Sequence, residues 1–168
     1  LLVPVVLAFY HGQVVERFLS LFSGEDTSVD LRFALWESTV AMIEEHPLLG
    51  VGWGNYWLAY PEYNFFIEDA DVVIFHAHDM YIHIPAEVGI PGGILYFLFF
   101  FGQGVMSWRI WRRGVGVMKL FGLSGMLLVL SAAIDGIGDY AFFSCPVSCC
   151  FWALSALCVS EERRGAAG

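Results

Sequence analysis

Between positions 76 and 83 the chain reads His76-Ala77-His78-Asp79-Met80-Tyr81-Ile82-His83. Imidazole changes charge near neutral pH, so such a run suits either proton transfer or metal ligation. A zinc centre needs three or four ligands at set spacings. His83 stands five residues after His78, off the i, i+4 face that a helical metal pair uses. A metal site is therefore possible but not favoured, and no cofactor is expected. His76 and His83 are read as hydrogen-bonding residues at a lipid–water boundary, and a zinc hydrolase built on His76, His78 and Asp79 stays as an alternative.

A second chemical group is cationic. Arg32 and Trp36 fall one turn apart on an expected helix over residues 31 to about 45, which Asp30 would cap and His46-Pro47 would stop. Between positions 16 and 87 the chain holds 13 acidic residues against two arginines, Arg17 and Arg32. A guanidinium in such surroundings suits a phosphate or pyrophosphate; the competing reading is a solvated helix charge with its stem on Trp36.

Gly50-Val51-Gly52-Trp53-Gly54-Asn55 has the spacing G-x-G-x-G. It follows a helix rather than a strand, so dinucleotide binding is rejected. The glycines predict a tight turn that brings backbone close to a ligand or to a membrane. Trp53, Tyr56, Trp57, Tyr60 and Tyr63 then follow and read as an interfacial anchor in preference to a sugar-stacking surface.

The elements that must position these groups are apolar. Of 168 residues, 58% are hydrophobic and 15% charged, against about 45–50% and ~25% in soluble domains. Together with a net charge of −9, this excludes a basic nucleic-acid binder. Residues 88–108 carry no charge and at ~1.5 Å per residue cross the roughly 30 Å hydrocarbon core. Arg109, Arg112, Arg113 and Lys119 follow, so residues 109–119 are assigned to the cytoplasm. Residues 1–11 read as the end of an earlier span. Residues 12–87 form a large loop on the opposite side, 120–135 and 140–160 two further spans meeting at Asp135 and Asp139, and 161–168 a cytoplasmic tail. Cys145, Cys149, Cys150 and Cys158 read as small packing residues. The fold class is all-α, a polytopic integral membrane fragment whose large periplasmic loop contains short helices.

Taken in order, three segments carry a family resemblance. They are Arg32-Phe33-Ala34-Leu35-Trp36, then His46-Pro47-Leu48-Leu49 running into the glycine loop to Asn55, then Ala77-His78-Asp79 followed by Gly89-Ile90-Pro91-Gly92. This combination resembles the O-antigen ligase and O-antigen polymerase superfamily over roughly residues 12–110, the C-terminal part of such a protein. The resemblance implies a bacterial inner-membrane, multi-pass glycosyltransferase. It would move a glycan from an undecaprenyl-pyrophosphate carrier to an acceptor hydroxyl on a glycan, lipid A-core or other acceptor, by a metal-independent inverting mechanism. Membrane lipid is an implied partner and nucleic acid is not.

By the same resemblance His78 activates the acceptor and Arg32 handles the donor pyrophosphate. Trp36, Gly52, Asn55, Asp79, Gly89 and Gly92 are expected at the substrate site. The ligase pattern carries Asn, Ser or Gln where this chain has Asp79, which could orient the imidazole or mark another branch. Gly89, Pro91 and Gly92 are expected to open the next helix, whose N-terminal amides would face pyrophosphate. Two alternatives remain: a repeat-unit polymerase of the same superfamily, and a transporter fragment that uses Asp135 and Asp139.

Overall fold

The computed structural model describes residues 27–64 and 73–166, so the expected span end at 1–11 lies outside the described residues. Among those described, every regular element is helical: α1 (Thr27–Glu45), α2 (Tyr56–Ala59), α3 (Met80–Arg113), α4 (Val117–Asp135) and α5 (Cys145–Ala166), with single 3-10 turns at Tyr60–Glu62 and Ala141–Phe143.

Helix α1 is already helical at Thr27, so Asp30 sits in its first turn and not at the cap. The carboxylate still faces the positive end of the helix dipole there. Leu35, Ser38, Thr39 and Met42 are its buried positions, the 3–4 residue spacing of a one-sided helix. Leu35 and Met42 pack with Tyr56, Tyr60, Tyr63, Ala77 and Ala86 into a first core. The Thr39 hydroxyl donates to the Leu35 carbonyl at 2.6 Å and lies 2.8 Å from the Tyr56 hydroxyl. The aromatic run therefore divides: the three tyrosines are core, while Trp53 and Trp57 are exposed. Each tyrosine can be buried because its ring is apolar and its hydroxyl finds a partner, as Tyr63 does at Glu45, 2.8 Å away.

Gly89 breaks α3 with φ 75° and ψ 169°. The break frees two carbonyls. Ala86 would ordinarily receive the amide of Ile90, which instead donates to Pro47 at 2.8 Å; Glu87 would receive that of Pro91, which has none. The glycine loop fills both places, Val51 N–H donating to Ala86 and Gly52 N–H to Glu87, each at 2.9 Å. A Cβ on Gly50 would collide with the Glu87 carbonyl, and one on Gly89 with the Leu48 carbonyl. The close approach expected of these glycines is thus made to the backbone of α3.

Beyond the break α3 continues to Arg113 and turns back into α4. Gly122 lets α4 lie directly on the backbone of Trp111 and Ser107, the small-residue contact used where helices meet in lipid. Met80, Ile84, Phe100, Val129, Tyr140, Phe142 and Phe151 form a second core joining α3, α4 and α5. Helices α3 and α4 are long and apolar enough to cross a membrane, yet only 33% and 11% of their apolar windows are buried within the chain. Such exposed apolar faces fit apolar surroundings. Arg112 lies over Trp108 and Lys119 over Trp111 at the α3–α4 turn. In α5 the apolar stretch is shorter, Cys145–Leu157. Cys145, Cys149 and Cys150, read as packing residues, are exposed on it; small apolar side chains suit such an outward face as well as an inward one.

Candidate functional site

The site forms where the extended residues 73–77 enter α3. His78 has φ 51°, the one positive value outside glycine among the described residues, a conformation uncommon for a side chain other than Asn, Asp or His. Asp79 follows as the N-cap of α3, its Oδ1 accepting the amides of Tyr81 at 2.7 Å and Ile82 at 3.3 Å. These bonds fix Oδ1 of Asp79 at the helix cap. A carboxylate one residue before a helix is drawn to the free amides of the first turn.

Two bonds tie this end of α3 to the far end of α4. The Met80 amide donates to Gly136 at 2.8 Å, and the Tyr81 hydroxyl donates to Ala133 at 2.7 Å. They bring Asp139 to His78, with Nδ1 and Oδ1 3.2 Å apart. The same Oδ1 accepts the Tyr140 amide at 2.7 Å. Burial alone would raise the Asp139 pKa, but the Tyr140 amide and the imidazoles of His78 and His76 hold it below the usual carboxylate range. A tautomer with Nδ1–H turned to Asp139 leaves a lone pair on Nε2 of His78. That is the arrangement of a base whose ring is oriented by an acid.

His76 stacks obliquely on His78, ring centres 4.1 Å apart, and its Nδ1 accepts the His78 amide at 3.3 Å. Burial lowers its pKa and nearby His78 lowers it further, opposed by Asp139. His83 lies beneath, fully buried. Its Nδ1 accepts the Ala77 amide at 3.4 Å, and its Nε2 lies 3.7 Å from Glu87 Oε2. Glu87 Oε1 in turn accepts the Tyr56 amide at 3.2 Å. His83 and Glu87 therefore stitch the first core to α3 and hold the floor of the site.

The zinc alternative also changes membership. Asp79 Oδ1 holds the helix cap, and among the described residues His76, His78 and Asp139 are the three groups whose ligand atoms lie within 4.8 Å of one another.

The other expected residues fall into three places. Among the described residues no hydrogen bond or ion pair links Arg32 or Trp36 to the His78 group; Trp36 meets Phe33 edge-on at 5.3 Å, and its Nε1 is buried without a partner among those residues. Gly52 and Asn55 belong to the loop itself, closed by the Asn55 amide on Gly52 at 3.1 Å. Gly89 is the break in α3, whereas Gly92 faces the Val88 side chain. The residue that sequence reasoning missed is Asp139 as the companion of His78. Asp135-Gly136-Ile137-Gly138-Asp139 stood out as a break bearing carboxylates, but nothing in the pattern said which histidine it meets.

The family model described as O-antigen ligase matches residues 1–97. The chain belongs to the O-antigen ligase family. Arg32, the glycine loop, His78, Gly89 and Gly92 lie inside the matched stretch, and Asp139 lies beyond it. The exopolysaccharide production protein ExoQ of Rhizobium meliloti (strain 1021) is 30% identical over 173 residues, an alignment that takes in 98% of this chain. The chain spans 38% of the length of that relative.

Proposed function

We propose that this O-antigen ligase family chain carries the acceptor-activating part of a membrane glycosyltransferase. The donor is a glycan on undecaprenyl pyrophosphate, and the site faces the periplasm or cell exterior of a bacterial inner membrane. His78 Nε2 takes the proton of an acceptor hydroxyl as its oxygen bonds to the anomeric carbon. The glycosyl–phosphate bond breaks, and undecaprenyl pyrophosphate leaves with the electron pair. Attack opposite the leaving group inverts the anomeric centre, and no metal takes part. Asp139 orients the imidazole and balances the charge it gains. Arg32 on α1 neutralises the departing pyrophosphate, together with parts of the protein outside this chain.

The observation that carries this reading is the His78–Asp139 pair, 3.2 Å apart with the His78 side chain 40% exposed. It is oriented from behind and open in front. The positive charge of the α3–α4 turn supports a cytoplasmic position for that turn, and with it the opposite face for the site. A second reading, polymerisation of repeat units in place of ligation to a lipid A-core, has support in the relative named for exopolysaccharide production. The test is complementation by the full-length gene carrying His78→Ala in a strain lacking the native protein. Loss of surface glycan, with the lipid-linked donor accumulating and the protein still inserted, is the expected result. Unchanged glycan sinks the base assignment, and the banding of the wild-type product separates ligation from polymerisation.

A further inference from the structure

His76, His78 and Asp139 come from two separate ends of the fold, yet their ligand atoms lie within 4.8 Å of one another. One pair, His78 Nδ1 and Asp139 Oδ1, is 3.2 Å apart. That is about the edge of a tetrahedron drawn on metal bonds of ~2.0–2.1 Å. The His76 ring is inclined at 59° to that of His78 with centres 4.1 Å apart, and one of its nitrogens lies within 4.8 Å of the ligand atoms of the other two residues. Its Nδ1 accepts the His78 amide, which leaves Nε2 as the available ligand. None of the three is fully buried, giving an ion a way in and water a fourth position. The Tyr140 amide on Asp139 supplies the outer hydrogen bond that a ligating carboxylate ordinarily has. Two imidazoles and a carboxylate are a zinc-type donor set.

We infer that His76, His78 and Asp139 bind one zinc-class divalent ion, and that the bound ion switches glycan transfer off. Binding rests on the geometry alone; the effect on transfer rests on His78 being the acceptor-activating base. A neutral imidazole coordinated through Nδ1 carries its proton on Nε2. The ring's proton count is unchanged, since Nδ1 gives one up and Nε2 takes one, but the lone pair that would receive the acceptor proton is gone. Chelation of the ion returns Nδ1–H to Asp139 and frees Nε2.

The full-length protein, purified in detergent and stripped of metal, is titrated with Co2+, whose visible spectrum reports tetrahedral nitrogen and oxygen ligation, and then with competing Zn2+. One Co2+ per chain, displaced by Zn2+, is the expected result. His76→Ala and Asp139→Asn each weaken binding by at least about tenfold, since loss of even an outer-shell partner has that effect; His46→Ala, at an exposed histidine outside the site, leaves it intact. Transfer by the wild type falls over the same Zn2+ range and returns with chelator, whereas the transfer retained by His76→Ala is insensitive to those concentrations. Absence of a stoichiometric site, or a site indifferent to both His76→Ala and Asp139→Asn, overturns the inference. So does zinc-loaded protein that transfers at the full rate. His78→Ala assayed in metal-free buffer reads the base assignment separately: normal transfer there sinks that assignment, while the wild-type titration continues to decide binding.

Discussion

His78 and Asp139 stand 61 residues apart in the chain and 3.2 Å apart in space. Neither helix places them alone; the meeting depends on the Met80 amide at Gly136 and the Tyr81 hydroxyl at Ala133. Removing a general base costs about 10²–10⁴-fold in rate, which is the range expected for His78→Ala. Asp139→Asn keeps the shape but releases the ring, so kcat should fall by at least about tenfold with KM little changed, because only the transition state gains from an oriented base. Equal loss in KM and none in kcat would mean that Asp139 holds substrate instead.

Asp79 caps α3. Asp79→Ala should lower stability by about 0.5–2 kcal/mol, read as a drop in thermal midpoint in detergent. Asp79→Asn or Asp79→Ser should keep most of the wild-type value and most of its activity. If Asp79→Asn folds well but loses transfer, the carboxylate has a role beyond the cap.

Gly89 is the glycine in this region that tolerates least. At φ 75° and against the Leu48 carbonyl, Gly89→Ala has both a strained backbone and a collision, an expected loss of about 1–3 kcal/mol from the conformation alone. Gly92→Ala meets only the Val88 side chain and should be milder. A thermal melt of both variants checks the order, and the reverse order would place the tight contact at the wrong glycine.

Acid should loosen the site through His76. Burial first, and then His78, lower its pKa below the ordinary imidazole value near 6.5, with Asp139 opposing. Its neutral form therefore stabilises the fold. That contribution is complete above about pH 6.5 and is lost as pH falls through the lower folded value. The thermal midpoint of the wild type should decline through this window more steeply than that of His76→Asn, and parallel curves would remove His76 as the cause.

Much of this architecture was legible because hydropathy is a local property. The all-helical class and the family follow from runs and motifs that can be read without knowing what touches what. The start of α1 was placed at residue 31 because Asp30 is a good cap, but Thr27 and Ser28 are caps of the same kind and the helix already includes them. The tyrosines of the aromatic run were assigned outward because hydroxyls favour an interface. Partners such as Thr39 and Glu45, on another helix, make burial favourable and leave no mark in the local pattern. Asp139 was visible as a carboxylate at a helix break. Its engagement with His78 depends on how α3 and α4 dock, which no spacing encodes.

The helical segment between Asp79 and Gly89, nearly three turns long, acts as a ruler. At ~1.5 Å per residue it sets the imidazole roughly 14 Å above the point where Pro47 and the glycine loop clamp α3. One inserted residue would raise His78 by ~1.5 Å and swing it by about 100°, away from Asp139. The length of this segment, as much as the residues at its ends, therefore decides whether the ring meets Asp139.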